Sequence, residues 1–379
     1  MKEKLSLPKG WEIKTIGDVC VSASSNVSQN KLANDEGDYP IYGASGLIKK
    51  VSFYHQDKPY LSIVKDGSGV GRVTKMDAYT SVIGTLQYIL PKENIDLDYL
   101  NYSLMSVDFK KYVAGAAIPH IYFKDYKNEP FLWMPLPEQQ RIVSILDEAF
   151  AAIAKAKANA EQNLKNAKEL FESYLQGVFE NKNWETKTLG EIGSPKMCKR
   201  ILKHQTSTTG EIPFYKIGTF GKTPDAFISK EIYDEFRTKY SFPKKGDVLI
   251  SASGTIGRRV RYDGEPAFFQ DSNIVWIDND EKHVLNDYLY VFYEFCDWQP
   301  SKGATISRLY NSNLTSIKIV FPKSLEEQKN ILLKIDAVSS ETKKLESIYQ
   351  QKINDLEELK KSILQKAFAG ELKTSQEVV

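Results

Sequence analysis

The chain has 379 residues, 41% of them hydrophobic and 12% aromatic, which is enough to bury two or three domain cores. Lys and Arg (51) nearly balance Asp and Glu (49), so overall charge neither demands nucleic acid nor excludes it. No run of 18 apolar residues occurs, the stretch from Met1 to Trp11 is polar, and Cys20, Cys198 and Cys296 are too few and too scattered for a disulfide framework or a zinc site. A membrane or secreted protein is therefore not expected, and a reducing cytoplasm is.

From Trp11 to about Met134 the sequence predicts short strands and turns with little helical periodicity. Asp66-Gly67 and the glycines to Gly71 punctuate runs such as Tyr60 to Val64 and Ser81 to Leu90, which read as strands. The segment from Pro137 to Phe179 is different. It has no proline after Pro137 and no glycine before Gly177, and small or apolar residues recur in steps of four and three: Ile142, Leu146, Ala149, Ile153, Ala156, Ala160, polar Asn163, Ala167, Leu170 and Tyr174. That is a coiled-coil seam on one helix of roughly 60 Å, too long for a compact core and in need of a partner.

At Trp184 the pattern begins again. The phrase at Gly10 to Val19 answers to that at Asn183 to Ile192, Asp98-Tyr99-Leu100 faces Asp287-Tyr288-Leu289, and the phrase opening at Gly115 faces the one opening at Gly303. "GSGVGRV" from Gly67 faces "ASGTIGRRV" from Ala252, with offsets that drift as loops do. In the helices the offset stays constant at 189, from Pro137 against Glu326 to Phe179 against Phe368. Ile142, Leu146, Ala149, Ile153 and Ala156 map onto Ile331, Ile335, Val338, Thr342 and Leu345, and Asn163 maps onto Lys352 as a polar seam layer. Ser324 and Glu327 form a capping box, and Gly370 reads as the stop.

The expected order is thus a module (1–136), a helix (137–181), a second module (182–323), a second helix (324–372) and a tail (373–379). The expected fold class is α+β: two globular α/β modules separated by two long antiparallel coiled-coil helices, in a pseudo-twofold dumbbell. A homodimeric coiled coil is the alternative arrangement, disfavoured because the chain supplies its own second rod.

No catalytic constellation emerges. There is no phosphate loop of the G-x-x-x-x-G-K-[ST] type, the glycines of "DGSGVGR" do not have dinucleotide spacing, and His55, His120, His204 and His283 lack metal-ligand spacing. "NEPF" from Asn128 has Glu129 where the Asn-Pro-Pro-aromatic motif of adenine methyltransferases needs proline. Basic residues do gather near turns, and two similar but divergent modules suit two unequal half-sites on a duplex. The rival is a coiled-coil scaffold without DNA; a methyltransferase in its own right is a more distant third.

Two phrases of the form Trp-Glu-x-x-x-[Ile/Leu]-Gly-[Asp/Glu] (Trp11 to Asp18, Trp184 to Glu191), alternating with helices that open "LPEQQRIVSILDEAF" from Leu136 and "SLEEQKNILLKIDAV" from Ser324, resemble the specificity subunits of type I restriction–modification systems. The likeness runs from about Trp11 to Gly370. It implies a DNA-recognition subunit with no catalysis or cofactor of its own, assembled with two methyltransferase subunits and with restriction/translocase subunits. S-adenosylmethionine, ATP and Mg would belong to those partners. Each module would read one half of a bipartite target, and the helices would set the unread spacing.

On that footing, base-edge reading is assigned to Lys65, Ser68 and Arg72 in the first module and to Ser253, Arg258 and Arg259 in the second. Phosphate neutralisation is assigned to Lys49, Lys50, Lys75, Lys244 and Lys245. Methyltransferase docking falls to Glu138, Gln139 and Arg141, with helix-dipole compensation the plain alternative for Glu138.

Overall fold

The computed structural model describes residues 7, 9–115, 117–300, 307–369 and 371, and the chain divides into two units: 1–162 with 349–379, and 163–348. In the first unit, β1 (Glu12–Thr15) runs into a one-turn helix α1 (Ile16–Val19) and β2 (Cys20–Ser24). The Thr15 hydroxyl accepts from the Asp18 amide while the Asp18 carboxylate accepts from Thr15, a closed capping box. Those bonds from the Thr15 hydroxyl and amide hold the Asp18 carboxyl below its ordinary range, so its contribution to stability is present above that range and fades as pH falls through the lowered value. There follow β3 (Tyr39–Gly43), β4 (Gly46–Val51), β5 (Tyr60–Val64), β6 (Val73–Met76), β7 (Ser81–Val82) and β8 (Leu86–Pro91). Helices α2 (Leu97–Ser106) and α3 (Phe123–Tyr126) and strand β9 (Pro130–Trp133) complete the module before α4 (Leu136–Phe179).

Two of these elements differ from expectation. The run from Ser81 to Leu90 is split, because Ile83–Thr85 leaves one sheet for the other and the Thr85 carbonyl turns to accept from the Lys65 and Asp66 amides. Helix α2, missed in a region read as strands and turns, is started by Asp96, whose carboxylate accepts from the Asp98 and Tyr99 amides at 3.0 and 2.9 Å.

The second unit repeats this plan with β10 (Glu185–Thr188), α5 (Leu189–Ile192), β11 (Gly193–Lys196), β12 (Ile212–Tyr215), β13 (Phe227–Ile228), an added helix α6 (Lys230–Lys239) and β14 (Val248–Ser251). It continues through β15 (Arg259–Arg261), β16 (Phe268–Phe269), β17 (Ile274–Asn279), α7 (Asn286–Phe295), α8 (Asn311–Ser316) and β18 (Lys318–Phe321) to α9 (Leu325–Phe368). Strand order shows the repeat directly. A four-stranded sheet β2-β8-β5-β6 answers to β11-β17-β14-β15, a three-stranded sheet β4-β3-β7 to β13-β12-β16, and the pair β1-β9 to β10-β18.

Within the first unit the opening half of α4 packs against the closing part of α9: Ile142, Leu146 and Phe150 share a core with Leu364 and Ala367, and Lys157 pairs with Glu357 at 2.6 Å. Within the second, Leu175 and Phe171 of α4 share a core with Ile331 and Ile335 of α9. Both contacts are antiparallel. The seam, however, shifts after Ala160. Asn163 and Leu170 are exposed, the latter 67%; Ala167 keeps its expected place in the seam, and Leu164, Phe171 and Leu175 turn inward beside it. The second helix makes the same shift: Leu345 and Lys352 are exposed, and Ile353 is buried. A strict heptad assumes 3.5 residues per turn; a straight helix has 3.6 and drifts by about 20° per heptad, so after three heptads the contact face moves on by one residue. Asn163 and Lys352 are therefore solvated side chains outside the seam and form no polar layer within it. Ile353→Ala should lower stability by about 2–4 kcal/mol in urea unfolding, as for a buried methylene loss, whereas Lys352→Ala should stay within about 0.5 kcal/mol. The Ser324 half of the predicted capping box forms, its hydroxyl accepting from the Glu327 amide at 3.3 Å, while the stop at Gly370 and the phrase from Gly303 to Ile306 lie outside the described residues.

Each long helix is locked to its module by one glutamine. Gln139 is fully buried: its Nε2 donates to the carbonyls of Met134 (2.7 Å) and Asn94 (3.0 Å), and its Oε1 accepts from the Asp96 amide at 2.9 Å. Gln328, its repeat partner, is equally buried and makes the same three bonds to Pro322, His283 and Leu285. Among the described residues no helix is long and apolar enough to cross a membrane.

Candidate nucleic-acid interface

The β5–β6 loop (65–71) is the polar, glycine-rich tip of the first module, and it is pinned from three sides. The Val64 amide donates to the Arg72 carbonyl (3.0 Å) and the Gly71 amide back to Val64 (2.9 Å), closing the hairpin. The Lys65 amide donates to Thr85 (3.0 Å) on one flank; on the other, the Ile121 amide donates to Lys65 (2.9 Å) and Gly67 to Pro119 (2.8 Å). An isolated bridge, Asp66 to His120, ties the loop to that returning segment.

The β14–β15 loop of the second module (252–257) is built identically but is one residue shorter. Ser251 donates to Arg258 (2.8 Å), Gly257 to Ser251 (3.0 Å), Ala252 to Asn273 (2.7 Å) and Leu309 to Ala252 (2.8 Å), with the bridge now between Ser253 and Arg308. Gly71 and Gly257 hold positive φ (+85° and +81°), a conformation only glycine adopts without strain, and each sits against an aromatic ring, Phe109 or Trp298.

Of the predicted base readers, Ser68 stands exposed at the loop, and Lys65 lies beside it in an ion pair with Asp66. Arg72 and Arg258 occupy equivalent positions, and both serve as staples to neighbouring turns. Arg72 donates to the Ala44 carbonyl and Arg258 to the Phe220 carbonyl at 3.0 Å. Arg259 turns the other way, onto Glu294 (2.6 Å) and the face of Tyr290. Ser253 is 7% exposed and donates its hydroxyl to the Asn273 Oδ1 at 2.7 Å, so it positions rather than reads.

Among the predicted phosphate contacts, Lys50, Lys75, Lys244 and Lys245 are all exposed, and Lys49, Lys75 and Lys244 have partners in the fold. Lys49 donates to the Leu32 carbonyl (3.0 Å), Lys75 pairs with Asp98 (2.7 Å) and Lys244 with Asp278 (3.4 Å). On the docking face, Glu138 and Arg141 form an ion pair at 2.7 Å, and Gln139 is removed from that face by its burial.

Residues that the sequence reading left out are His120 and Tyr122 in the first module and Asn273, Arg308 and Tyr310 in the second. The two tyrosines are 47% and 54% exposed beside the loops, large rings at a polar surface. The signal existed, since the phrases from Gly115 and Gly303 place His120 against Arg308 and Tyr122 against Tyr310. Nothing in them indicated a contact with a loop some 50 residues away. The three cysteine thiols are pushed up to about 12 by burial, which leaves them unreactive near neutrality. No group of His, Cys, Asp and Glu that could hold a metal ion occurs among the described residues.

The model of the type I restriction modification DNA specificity domain matches the chain twice, at residues 8–165 and 181–358. A Haemophilus influenzae type I restriction enzyme specificity subunit, S.HindORF215P, is 41% identical over 318 residues, covering 79% of this chain and 80% of that protein. The MjaVIII specificity subunit of Methanocaldococcus jannaschii is 24% identical over 412 residues, covering 97% and 94%. The chain also resembles two solved structures at 18% identity. One, from work on assembly and conformational transition of the type I restriction–modification system, has a TM-score of 0.70 with 97% and 99% coverage. The other, the HsdS subunit of Thermoanaerobacter tengcongensis, has a TM-score of 0.60 with 98% and 99% coverage.

Proposed function

The chain belongs to the family of type I restriction–modification specificity subunits, and from that premise we propose that its two modules read the two unequal halves of one split DNA target. It is a recognition subunit and not an enzyme. The observation that carries the bipartite reading is the pairing of one scaffold with two sets of side chains. Loops of the same construction present Lys65, Asp66, Ser68 and His120 in one module and Thr255 and Arg308 in the other, where Ala252 and Ser253 are buried. A shared backbone sets a shared docking pose, and different donors and acceptors select different bases.

The long helices set the number of unread base pairs and carry two methyltransferase subunits, with Glu138 and Arg141 on the docking face. Restriction/translocase subunits complete the cytoplasmic assembly, and S-adenosylmethionine, ATP and Mg belong to those partners. The exposed lysines Lys50 and Lys245 neutralise phosphate, together with those of Lys49, Lys75 and Lys244 that exchange their present partners for the duplex.

Co-expression with the methyltransferase of its own system, followed by genome-wide mapping of methylated adenine, should return one split motif. Inserting four residues, about one helical turn, into α4 should alter the unread spacing and leave both half-motifs intact. A continuous motif, or none, would sink the bipartite reading; a changed half-motif would make the helix part of the reader.

A further inference from the structure

We infer that Arg308 is the side chain with which the second module recognises a guanine, within a cleft of about 420 Å³ that it lines together with Met197, Ser272 and Tyr310. The inference rests on the reading of this module as a DNA reader and adds the residue, the base and the means by which the residue is held.

The backbone fixes the station first. The Leu309 amide donates to the Ala252 carbonyl at 2.8 Å and the Ser253–Arg308 bridge lays this segment alongside the loop, so the backbone at Arg308 is anchored to the residues that follow β14. A relay then orients the guanidinium. The buried Ser253 hydroxyl donates to the Asn273 Oδ1 at 2.7 Å, and the same oxygen accepts from an Arg308 terminal nitrogen at 3.2 Å. Asn273 is itself pinned, its carbonyl accepting from the Ala252 amide at 2.7 Å. An arginine held along one edge by a neutral amide loses less rotamer freedom on binding, and its planar fork keeps two parallel donors for the O6 and N7 of a guanine in the major groove.

The neighbouring arginines do not compete for this role. Arg258 is spent on the Phe220 carbonyl and Arg259 on Glu294, and Arg200 at the edge of the same region pairs with Asp271 at 2.8 Å. Among the described residues no carboxylate forms an ion pair with Arg308, whose side-chain bond is to the neutral Asn273 amide. Tyr310, 54% exposed at the cleft, offers an apolar ring face beside the base edge. The first module carries His120 at the equivalent bridge, packed against Tyr122 at 5.0 Å, so the same station reads a different base there.

The test uses the assembled methyltransferase complex. With the native subunit, the mapped methylation motif should contain an invariant guanine in its second half. Arg308→Gln should relax that one position, lowering discrimination by about tenfold to hundredfold, with the first half-motif unchanged. Arg308→Lys, which keeps the charge but not the fork, should relax the same position, and Asn273→Ala should do so more weakly. Equal stringency at every position in Arg308→Gln, in a complex that still assembles, would overturn the inference, as would a uniform fall in methylation with the motif intact, the mark of a phosphate contact. Absence of a split motif with the native subunit would overturn the bipartite reading itself and this inference with it.

Discussion

Replacing Gln139 by leucine will destabilise the first unit by about 3–5 kcal/mol, and Gln328→Leu will do the same to the second. Each glutamine is wholly buried and satisfies two carbonyls and one amide of its module, so the apolar variant leaves three main-chain groups without partners at roughly 1–3 kcal/mol each, partly offset by relaxation. Urea unfolding should register the loss, and hydrogen exchange should confine it to the unit that carries the substitution. The exposed neighbour Gln140 provides the control, its leucine variant remaining within about 0.5 kcal/mol. Gln139→Glu adds a dependence on pH. A carboxylate facing two carbonyls in a buried site has its pKa raised above the unfolded value, so the variant should be more stable at pH 5 than at pH 8, its stability lost as pH rises through the folded pKa. A variant indistinguishable from native in both assays would mean that the glutamines do not fasten the helices.

The second large effect is expected at the loop glycines. An added Cβ at Gly257 would lie 2.2 Å from the Trp298 Nε1, and one at Gly71 would lie 2.6 Å from the Phe109 Cβ. Alanine there combines a left-handed backbone, about 1–2 kcal/mol, with overpacking of about 1–3 kcal/mol, so each variant should lose about 2–5 kcal/mol. Because both residues close the loops, Gly257→Ala should degrade only the second half-motif and Gly71→Ala only the first, each read from the methylation map. Gly254, with φ +67° but nothing within 4 Å of an added Cβ, separates the two causes: its alanine variant carries backbone strain alone. If Gly254→Ala and Gly257→Ala had equal effects, the aromatic contact would be irrelevant to the loop.

The candidate interface illustrates a limit of reading by residue type. Arg72 and Arg258 follow glycine in a polar turn and look like guanine readers, yet both are consumed by carbonyls of neighbouring turns, Ala44 between β3 and β4 and Phe220 between β12 and β13. His120 and Arg308 sit in phrases aligned by the repeat and were passed over, because only the folded chain brings them to the loops. Gln139, chosen as a docking residue for its place on an outward-looking helix start, is among the most buried polar groups in the protein.

The sequence by itself determined the long helices, their antiparallel partnership and the internal repeat. These follow from composition and periodicity, which act over a few neighbouring residues and survive in any context. Tertiary structure alone decided which polar groups are free. That choice depends on carbonyls and amides some 20 to 50 residues away, as with Asn94 and Gln139 or Ser253 and Arg308. It also decided the phase of the seam beyond Ala160, where the difference between 3.5 and 3.6 residues per turn, negligible over one heptad, accumulates until a different residue faces the core.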